Sequence, residues 1–217
     1  MTLSEEDYLK AIFHLSRDKE EQVATNAIAG RMETKASSVT DMLKKLSEKG
    51  LVTYKKYQGA ALTAKGRLLA ARIVRRHRLW EVFLVEKLQF PWDEVHDIAE
   101  ELEHIKSEKL IEKLDDYLDH PRFDPHGDPI PDKDGVIKSM EKVPIASAME
   151  GDTGLVVGVK NSSSEFLQYL DKMKIALGQE IRIVRREPFD NSVEIQTQGR
   201  KFNISAMTAN NIYLKII

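Results

Sequence analysis

Residues 120–135 read His-Pro-Arg-Phe-Asp-Pro-His-Gly-Asp-Pro-Ile-Pro-Asp-Lys-Asp-Gly, and four of the chain's seven prolines fall between Pro121 and Pro131. No helix interior or central strand accepts that density, because each proline fixes φ and lacks an N–H donor. The segment therefore reads as a linker. The hydrophobic period changes across it. Upstream, apolar residues recur at three and four; downstream, short segments alternate apolar and polar. The expected fold class is α+β and multidomain, and 217 residues suffice for two to three small domains.

In the upstream half, a helix is expected from Ser4, with Asp7 completing a Ser-x-x-Asp capping box and Leu3 and Tyr8 forming a hydrophobic staple. Tyr8, Ala11, Ile12 and Leu15 make its apolar stripe. Thr25 is placed to cap a short helix carrying Ile28, Ala29 and Met32. After a turn at Glu33–Lys35, the residues Val39, Met42, Leu43 and Leu46 mark a third amphipathic helix, stopped by Gly50. Leu51–Leu62 then reads as a β-hairpin with Gly59 near its tip. Helix, helix, turn, helix, hairpin is the order of a winged helix-turn-helix.

Hydroxyl and basic side chains cluster where such a module meets a duplex. Ser37, Ser38 and Thr40 open the third helix, and short hydroxyl side chains there can approach phosphates and base edges. Ser37 or Ser38 serving only as a helix cap is the competing reading. Lys55, Lys56 and Tyr57 would form the wing, and Thr25, Lys35 and Lys44 complete the candidate DNA-binding set. The net charge of −2 conceals an asymmetry: Lys35–Arg78 holds twelve Lys/Arg against two acids, whereas Glu81–Asp134 holds seventeen acids against six. The first block suits a polyanion and the second suits cations.

Helices are expected over 63–88, 93–104 and 107–118, with Pro91-Trp92 as a break. Their apolar surface exceeds what one DNA-reading module needs, so a homodimer interface is expected, with burial inside one chain as the alternative. These helices carry His77, Glu81, His96, Glu100, Glu103 and His104. Glu100, Glu103 and His104 stand at i, i+3 and i+4 and so share one face of one turn; His77 and Glu81 are likewise i, i+4. Two carboxylates and an imidazole from one turn suit a divalent cation. A metal site beside a DNA-reading element points to a switch rather than an enzyme.

The absence of cysteine excludes disulfides, thiolate zinc sites and iron–sulfur clusters. No apolar run reaches the roughly 20 residues of a membrane span, and the acidic start MTLSEEDY does not read as a signal peptide. A cytoplasmic location, no membrane partner and no small organic substrate are expected. Beyond the linker, strands are expected at Gly154–Val159, Glu180–Arg186, Val193–Thr197 and Ile212–Ile217, with a helix around Glu165–Met173. They make a small β-barrel-like domain. Gly151, Gly154 and Gly158 form no dinucleotide fingerprint, since no βαβ unit surrounds them.

Asp7-Tyr8-Leu9-Lys10, Ser37-Ser38-Val39-Thr40, Leu62-Thr63-x-Lys65-Gly66, Arg76-His77-Arg78-Leu79, His96-Asp97, Glu103-His104 and Pro125-His126-Gly127-Asp128-Pro129-Ile130-Pro131 stand in one order. Together they resemble the diphtheria-toxin-repressor family of metal-dependent transcriptional repressors, including its manganese-transport-regulator branch. The resemblance covers the whole chain. It implies a winged helix-turn-helix over 1–72, an all-α metal-binding and dimerisation domain with the Pro-rich linker over 73–140, and an SH3-like small β-barrel over 141–217. It also implies a primary metal site of Asp7, Glu100, Glu103 and His104, with His77 as a further ligand.

The position of Glu100 is a cysteine and that of Asp7 a methionine in the iron-responsive branch. Both changes replace soft sulfur by hard oxygen, which suits Mn(II), with Fe(II) as the alternative and Co(II), Zn(II) or Cd(II) as surrogates. Lys10 stands where some manganese regulators place a second carboxylate, so their paired two-metal site is not expected. An ancillary site is implied from Glu81 and His126 with Asp124 and Glu165, or from His77, Glu81 and His96. The resemblance further implies double-stranded DNA with a palindromic operator as partner and no enzymatic activity. A metal-dependent hydrolase would call for His-Glu-x-x-His, which is absent. A constitutive DNA-binding protein is the other alternative, discriminated by a chelator.

Overall fold

The computed structural model describes residues 1–16, 21–138 and 140–217. The element order is α1 (Leu3–Leu15), α2 (Thr25–Arg31), α3 (Ala36–Glu48), β1 (Val52–Lys55), β2 (Gly59–Leu62), α4 (Ala64–Glu86), α5 (Val95–Leu102) and α6 (Glu108–Tyr117). There follow β3 (Val143–Pro144), a 3₁₀ turn (Ile145–Ser147), β4 (Thr153–Val159), α7 (Ser164–Met173), β5 (Glu180–Arg186), β6 (Val193–Thr197), β7 (Arg200–Ile204), α8 (Ala206–Asn211) and β8 (Ile212–Ile216). The architecture is α+β, with the helix-turn-helix and hairpin first and a six-stranded antiparallel sheet last. The chain divides into two compact units: Met1–Trp80 with Ala99–Tyr117 and Ile130–Ile137, and Glu81–Ile98 with Leu118–Pro129 and Lys138–Ile217.

The core of the first unit is built from the stripes expected of an amphipathic helix bundle. Tyr8, Leu9 and Ile12 of α1 meet Ile28 of α2 and Val39, Leu43 and Leu46 of α3, closed by Leu51, Val52, Ala60 and Leu62 of the hairpin. Helix α3 ends in a Schellman motif: the Leu51 amide donates to the Leu46 carbonyl at 3.0 Å and that of Gly50 to Ser47 at 2.9 Å. Gly50 takes φ +66°, which costs a glycine least. In the hairpin Val52 pairs with Leu62 and Lys55 with Gly59. Its tip is Lys56–Gln58, with Tyr57 at φ +67°, so Gly59 opens β2 rather than sitting at the turn.

Three local expectations are corrected. The N-cap of α1 is Thr2, in a reciprocal capping box with Glu5. The Thr2 hydroxyl accepts from the Glu5 amide and the Glu5 carboxylate accepts from the Thr2 amide at 3.1 Å. Ser4 and Asp7 lie two residues too late for that job, and Leu3 is exposed rather than stapled. Helix α2 is capped at Ala24 without a side-chain bond, leaving Thr25 as its first residue. Helix α5 stops at Leu102, so Glu103 and His104 sit in the turn just beyond it, although the Glu103 amide still donates to the Ala99 carbonyl at 2.9 Å.

In the second unit the sheet order is β3-β8-β4-β5-β6-β7. Period-2 alternation puts Ile181 and Ile183 of β5, Val193 and Ile195 of β6, and Ile212 and Leu214 of β8 into one core with Leu167 and Leu170 of α7. Ser163 caps α7, accepting from the Phe166 amide. The expected strands are present, and β3, β7 and α8 are additional. β7 is an edge strand, and Arg200, Lys201 and Asn203 on it are exposed, so its alternation carries little hydrophobic signal.

Candidate metal centres and nucleic-acid face

The acidic first turns of α1 bring three consecutive carboxylates into the first unit, and each finds a different partner. Glu6, 2% exposed, receives the Nδ1 side of His104 at 3.0 Å and an Arg76 guanidinium nitrogen at 3.3 Å. The other ring nitrogen of His104, Nε2, lies 3.3 Å from Asp7 Oδ1. A carboxylate behind a histidine fixes the orientation of the ring, the usual support for a metal-binding imidazole. Because Asp7 is free of the capping box, its carboxylate is available here.

Glu103 is completely buried. Its Oε2 takes Nδ1 of His77 and the Lys10 ammonium, both at 2.7 Å, while Lys10 reaches Glu100 Oε1 at 2.5 Å. Arg76 Nε donates to the backbone carbonyl of Glu103. Among the described residues, Glu103 Oε1 and Asp7 Oδ1 are buried without a hydrogen-bond partner. Buried carboxylate oxygens are ordinarily satisfied, so two such oxygens in one cluster indicate an absent cation or donor. Asp7, Glu103 and His104 each offer one ligand atom, all within 4.8 Å of one another. This donor set, two hard oxygens and one imidazole nitrogen, fits a divalent first-row ion. Burial, reinforced by Glu103 and Glu100 and opposed by His104 and Lys10, raises the Asp7 carboxyl above its ordinary range. A cation removes that penalty.

The second unit holds a separate cluster. Glu81, Asp124 and His126 are all buried and each offers a ligand atom within 4.8 Å of the others. His126 Nδ1 lies 3.6 Å from Glu81 Oε1, and His96 Nδ1 lies 3.5 Å from that same oxygen. His126 Nε2 is 2.8 Å from the Trp92 carbonyl, and the two rings stack at 6.2 Å. Nδ1 is therefore the nitrogen turned toward the acids. Burial opposes charge on His126, but Glu81 and Asp124 outweigh it and bring the ring up to about 9. Asp124 Oδ1 accepts from the His126 and Asp128 amides at 2.8 and 2.9 Å, shaping the Pro-rich loop. At its apex Gly127 takes φ +82°, and a Cβ there would stand 2.0 Å from the Val157 carbonyl oxygen.

Glu165 is exposed on the first turn of α7 and is not brought into this cluster. Its neighbours reach the helical segment instead: Ser164 and Gln168 bind Asp93, at 3.1 and 2.8 Å from its Oδ2. Trp92 Nε1 donates to Asp171 at 3.1 Å. Lys10 as an ion-pair partner of Glu100 and Glu103, Glu6 behind His104, and Trp92 behind His126 were not foreseen. The run Glu5-Glu6-Asp7 was the available signal for Glu6, whereas the partners of Lys10 lie 90 and 93 residues away.

On the nucleic-acid face, Ser37 and Ser38 are exposed and neither caps α3, whose N-cap is Lys35 without a side-chain bond. The Thr40 hydroxyl donates to the Ala36 carbonyl at 2.9 Å. Lys35, Lys44, Lys55 and Lys56 are exposed, and Tyr57 at the hairpin tip is 92% exposed with the Lys56 ammonium 4.9 Å over its ring. Thr25 is half-buried at the start of α2.

Comparison with known proteins finds three family models along the chain. Residues 1–60 match the iron dependent repressor N-terminal DNA binding domain, 63–132 the iron dependent repressor metal binding and dimerisation domain, and 143–216 the FeoA domain. A solved structure titled "Manganese-dependent transcriptional repressor complex with manganese" is 34% identical, with a TM-score of 0.87 over 98% of this chain and 100% of that one. The HTH-type transcriptional regulator MntR of Oceanobacillus iheyensis is 33% identical over 142 residues, 65% of this chain and 89% of that protein. The iron-dependent repressor IdeR of Mycobacterium leprae is 34% identical over 126 residues, 58% of this chain; the match spans 54% of IdeR, about half its length. No described helix is long and apolar enough to cross a membrane. These regulators are not enzymes, and by these matches the chain belongs to the iron-dependent repressor family, the diphtheria toxin repressor and manganese transport regulator group.

Proposed function

We propose that this chain is a metal-dependent, DNA-binding transcriptional repressor of the cytoplasm that senses Mn(II), with Fe(II) as the alternative ion, and controls metal-uptake genes. The observation that carries the reading is the pair of buried oxygens of Asp7 and Glu103, neither with a hydrogen-bond partner, beside His104 Nε2. The proposed domains are 1–72 for DNA reading, 73–140 for metal binding and dimerisation, and 141–217 as the SH3-like domain. Asp7, Glu103 and His104 are the proposed primary ligands, with Glu100 and His77 adjoining. Glu81, Asp124 and His126 form the ancillary set; His96 stands beside it, and Glu165 is retained as an outlying acid of the C-terminal domain.

A bound divalent ion supplies the positive charge that lets these carboxylates share one small volume. The residues do the rest. Asp7 belongs to α1 of the reading head, whereas Glu103 and His104 follow α5, so gathering them ties one helix of the reader to the dimerisation segment. Glu6 and Arg76 hold His104 and the Glu103 backbone in place. In a homodimer this fixes two copies of α3 roughly 34–36 Å apart, one helical repeat of a palindromic operator. Ser37, Ser38 and Thr40 face base edges and phosphates, and Lys35, Lys44, Lys55, Lys56, Thr25 and Tyr57 face the backbone. The exposed Leu110 and Tyr117 of α6 suit a subunit interface. The relative titled as a manganese complex supports Mn(II); the iron-dependent relatives support Fe(II), and Co(II), Zn(II) and Cd(II) are surrogates.

Anisotropy titration of the purified protein against a duplex pool, with Mn(II), Fe(II), Co(II), Zn(II) or a chelator, tests the proposal. Saturable, metal-dependent binding is expected. Binding indifferent to the chelator would mean a constitutive DNA-binding protein.

A further inference from the structure

Glu5 is wholly buried, yet it contributes nothing to the metal cluster. Its two oxygens lie 2.7 and 2.9 Å from Lys49 Nζ, and Oε1 lies 3.2 Å from Lys45 Nζ. Lys45 stands in the last turn of α3 and Lys49 is its C-cap. The next two residues of α1 face the other way. Glu6 holds His104 by Nδ1 at 3.0 Å, and Asp7 meets Nε2 of that ring at 3.3 Å. Consecutive helical residues are rotated by about 100°, so one rigid turn grips α3 on one side and the metal cluster on the other. The turn is secured by the capping box and by the Glu6 amide donating to the Thr2 carbonyl at 3.2 Å.

We infer that Glu5 is a positioning residue that couples the metal cluster to α3. The inference rests on the metal-dependent DNA binding proposed above. Drawing Asp7 toward His104 and Glu103 moves the α1 turn, and Glu5 carries that movement to the C-terminal end of α3 through Lys45 and Lys49. The charge on Glu5 makes the claim sharp. As a plain electrostatic neighbour of DNA, an acid weakens binding, so its removal strengthens binding with or without metal. As a coupler, its removal weakens the metal-loaded complex only.

The test uses Glu5→Gln, which keeps an oxygen to accept from the Thr2 amide, and Lys49→Gln, which cuts the same contact from the exposed end. Duplex affinity is measured with saturating Mn(II) and with chelator, on a duplex selected from random sequence by the Mn(II)-loaded wild type. Mn(II) affinity without DNA is measured by calorimetry, and amide hydrogen exchange is followed over residues 44–50. Both variants should keep wild-type Mn(II) affinity and metal-free duplex affinity, lose about tenfold of the Mn(II)-induced gain, and lose Mn(II)-dependent protection over 44–50. If one variant does not fold, the other still decides the outcome. An unchanged Mn(II)-induced gain, or a Glu5→Gln protein that binds duplex more tightly in both states, overturns the inference. A wild type that selects no duplex with Mn(II) refutes the repressor reading itself, which is a separate result.

Discussion

Replacing Lys10 by Met should lower metal-free stability and raise metal affinity, two effects of opposite sign from one substitution. Lys10 is 8% exposed, and its ammonium touches Glu103 at 2.7 Å and Glu100 at 2.5 Å. Charge-assisted hydrogen bonds are worth about 1.5–3 kcal/mol each. The Glu103 end is fully buried and keeps that range; the Glu100 side chain is 37% exposed, so solvent screening discounts its end to about 1 kcal/mol. The metal-free protein should therefore lose roughly 2.5–4 kcal/mol, which for a chain of this size is a fall in Tm of about 5–15 °C. Any cation at Asp7, Glu103 and His104 must share the charge of Glu103 with Lys10. If loading loosens only the Glu100 contact, deleting the ammonium gains about 1 kcal/mol of metal binding, or about fivefold, and more if the Glu103 contact also loosens. Differential scanning fluorimetry without metal and calorimetry with Mn(II) read the two effects. A Lys10→Met protein whose Mn(II) affinity falls along with its melting temperature would show that the ammonium organises the site rather than competes within it.

Glu103→Ala or His104→Ala should abolish Mn(II)-activated duplex binding while leaving the dimer intact by light scattering; undiminished activation would remove both from the ligand set. Glu5 is held at about 2, chiefly by the Lys49 hydrogen bond, below its ordinary 4.5. Its contribution to stability is therefore complete above pH 4.5 and lost as pH falls toward about 2. Acid unfolding of Glu5→Gln should be shallower than wild type over that window, and parallel curves would contradict the assignment. His126 has the opposite sign: raised to about 9 from 6.5, it stabilises fully below pH 6.5 and loses that contribution as pH rises through about 9. His126→Gln should flatten the fall in Tm between those values, as followed by circular dichroism. Duplex affinity should also drop steeply between about 50 and 200 mM salt, because phosphate contacts release counterions.

The sequence made the helices legible because their apolar stripes are long and unbroken: Val39, Leu43 and Leu46 of α3 are all fully buried. The strands β5, β6 and β8 were legible for the matching reason, clean alternation. What escaped were features decided by partners far away in sequence. The α1 cap went to Thr2, whose hydrogen bond Glu5 returns, while Asp7, the expected reciprocal of Ser4, turns toward His104 instead. Lys10 stands at the position of a carboxylate in some manganese regulators, but its own partners, Glu100 and Glu103, lie some ninety residues later. Trp92 reads as part of a helix break. Only the fold puts its carbonyl against His126 and its indole against Asp171.

The two donor clusters differ in readiness for a cation, and the difference follows from where their hydrogen bonds go. At Asp7, Glu103 and His104, two carboxylate oxygens are buried without hydrogen-bond partners, and burial already pushes the Asp7 carboxyl toward protonation. A cation there satisfies two oxygens that no hydrogen bond satisfies. At Glu81, Asp124 and His126 the loads are already balanced: Asp124 Oδ1 serves two backbone amides, and His126 carries a proton that Glu81 favours. An ion must displace that proton, so affinity at this cluster should climb as pH rises from 7 toward 9. Near neutrality the Asp7 cluster should therefore fill first, and the order of filling should narrow or reverse in alkaline solution. Mn(II) titrations at pH 7 and 8.5, with His104→Ala and His126→Gln proteins isolating each cluster, decide between this ranking and equal occupancy.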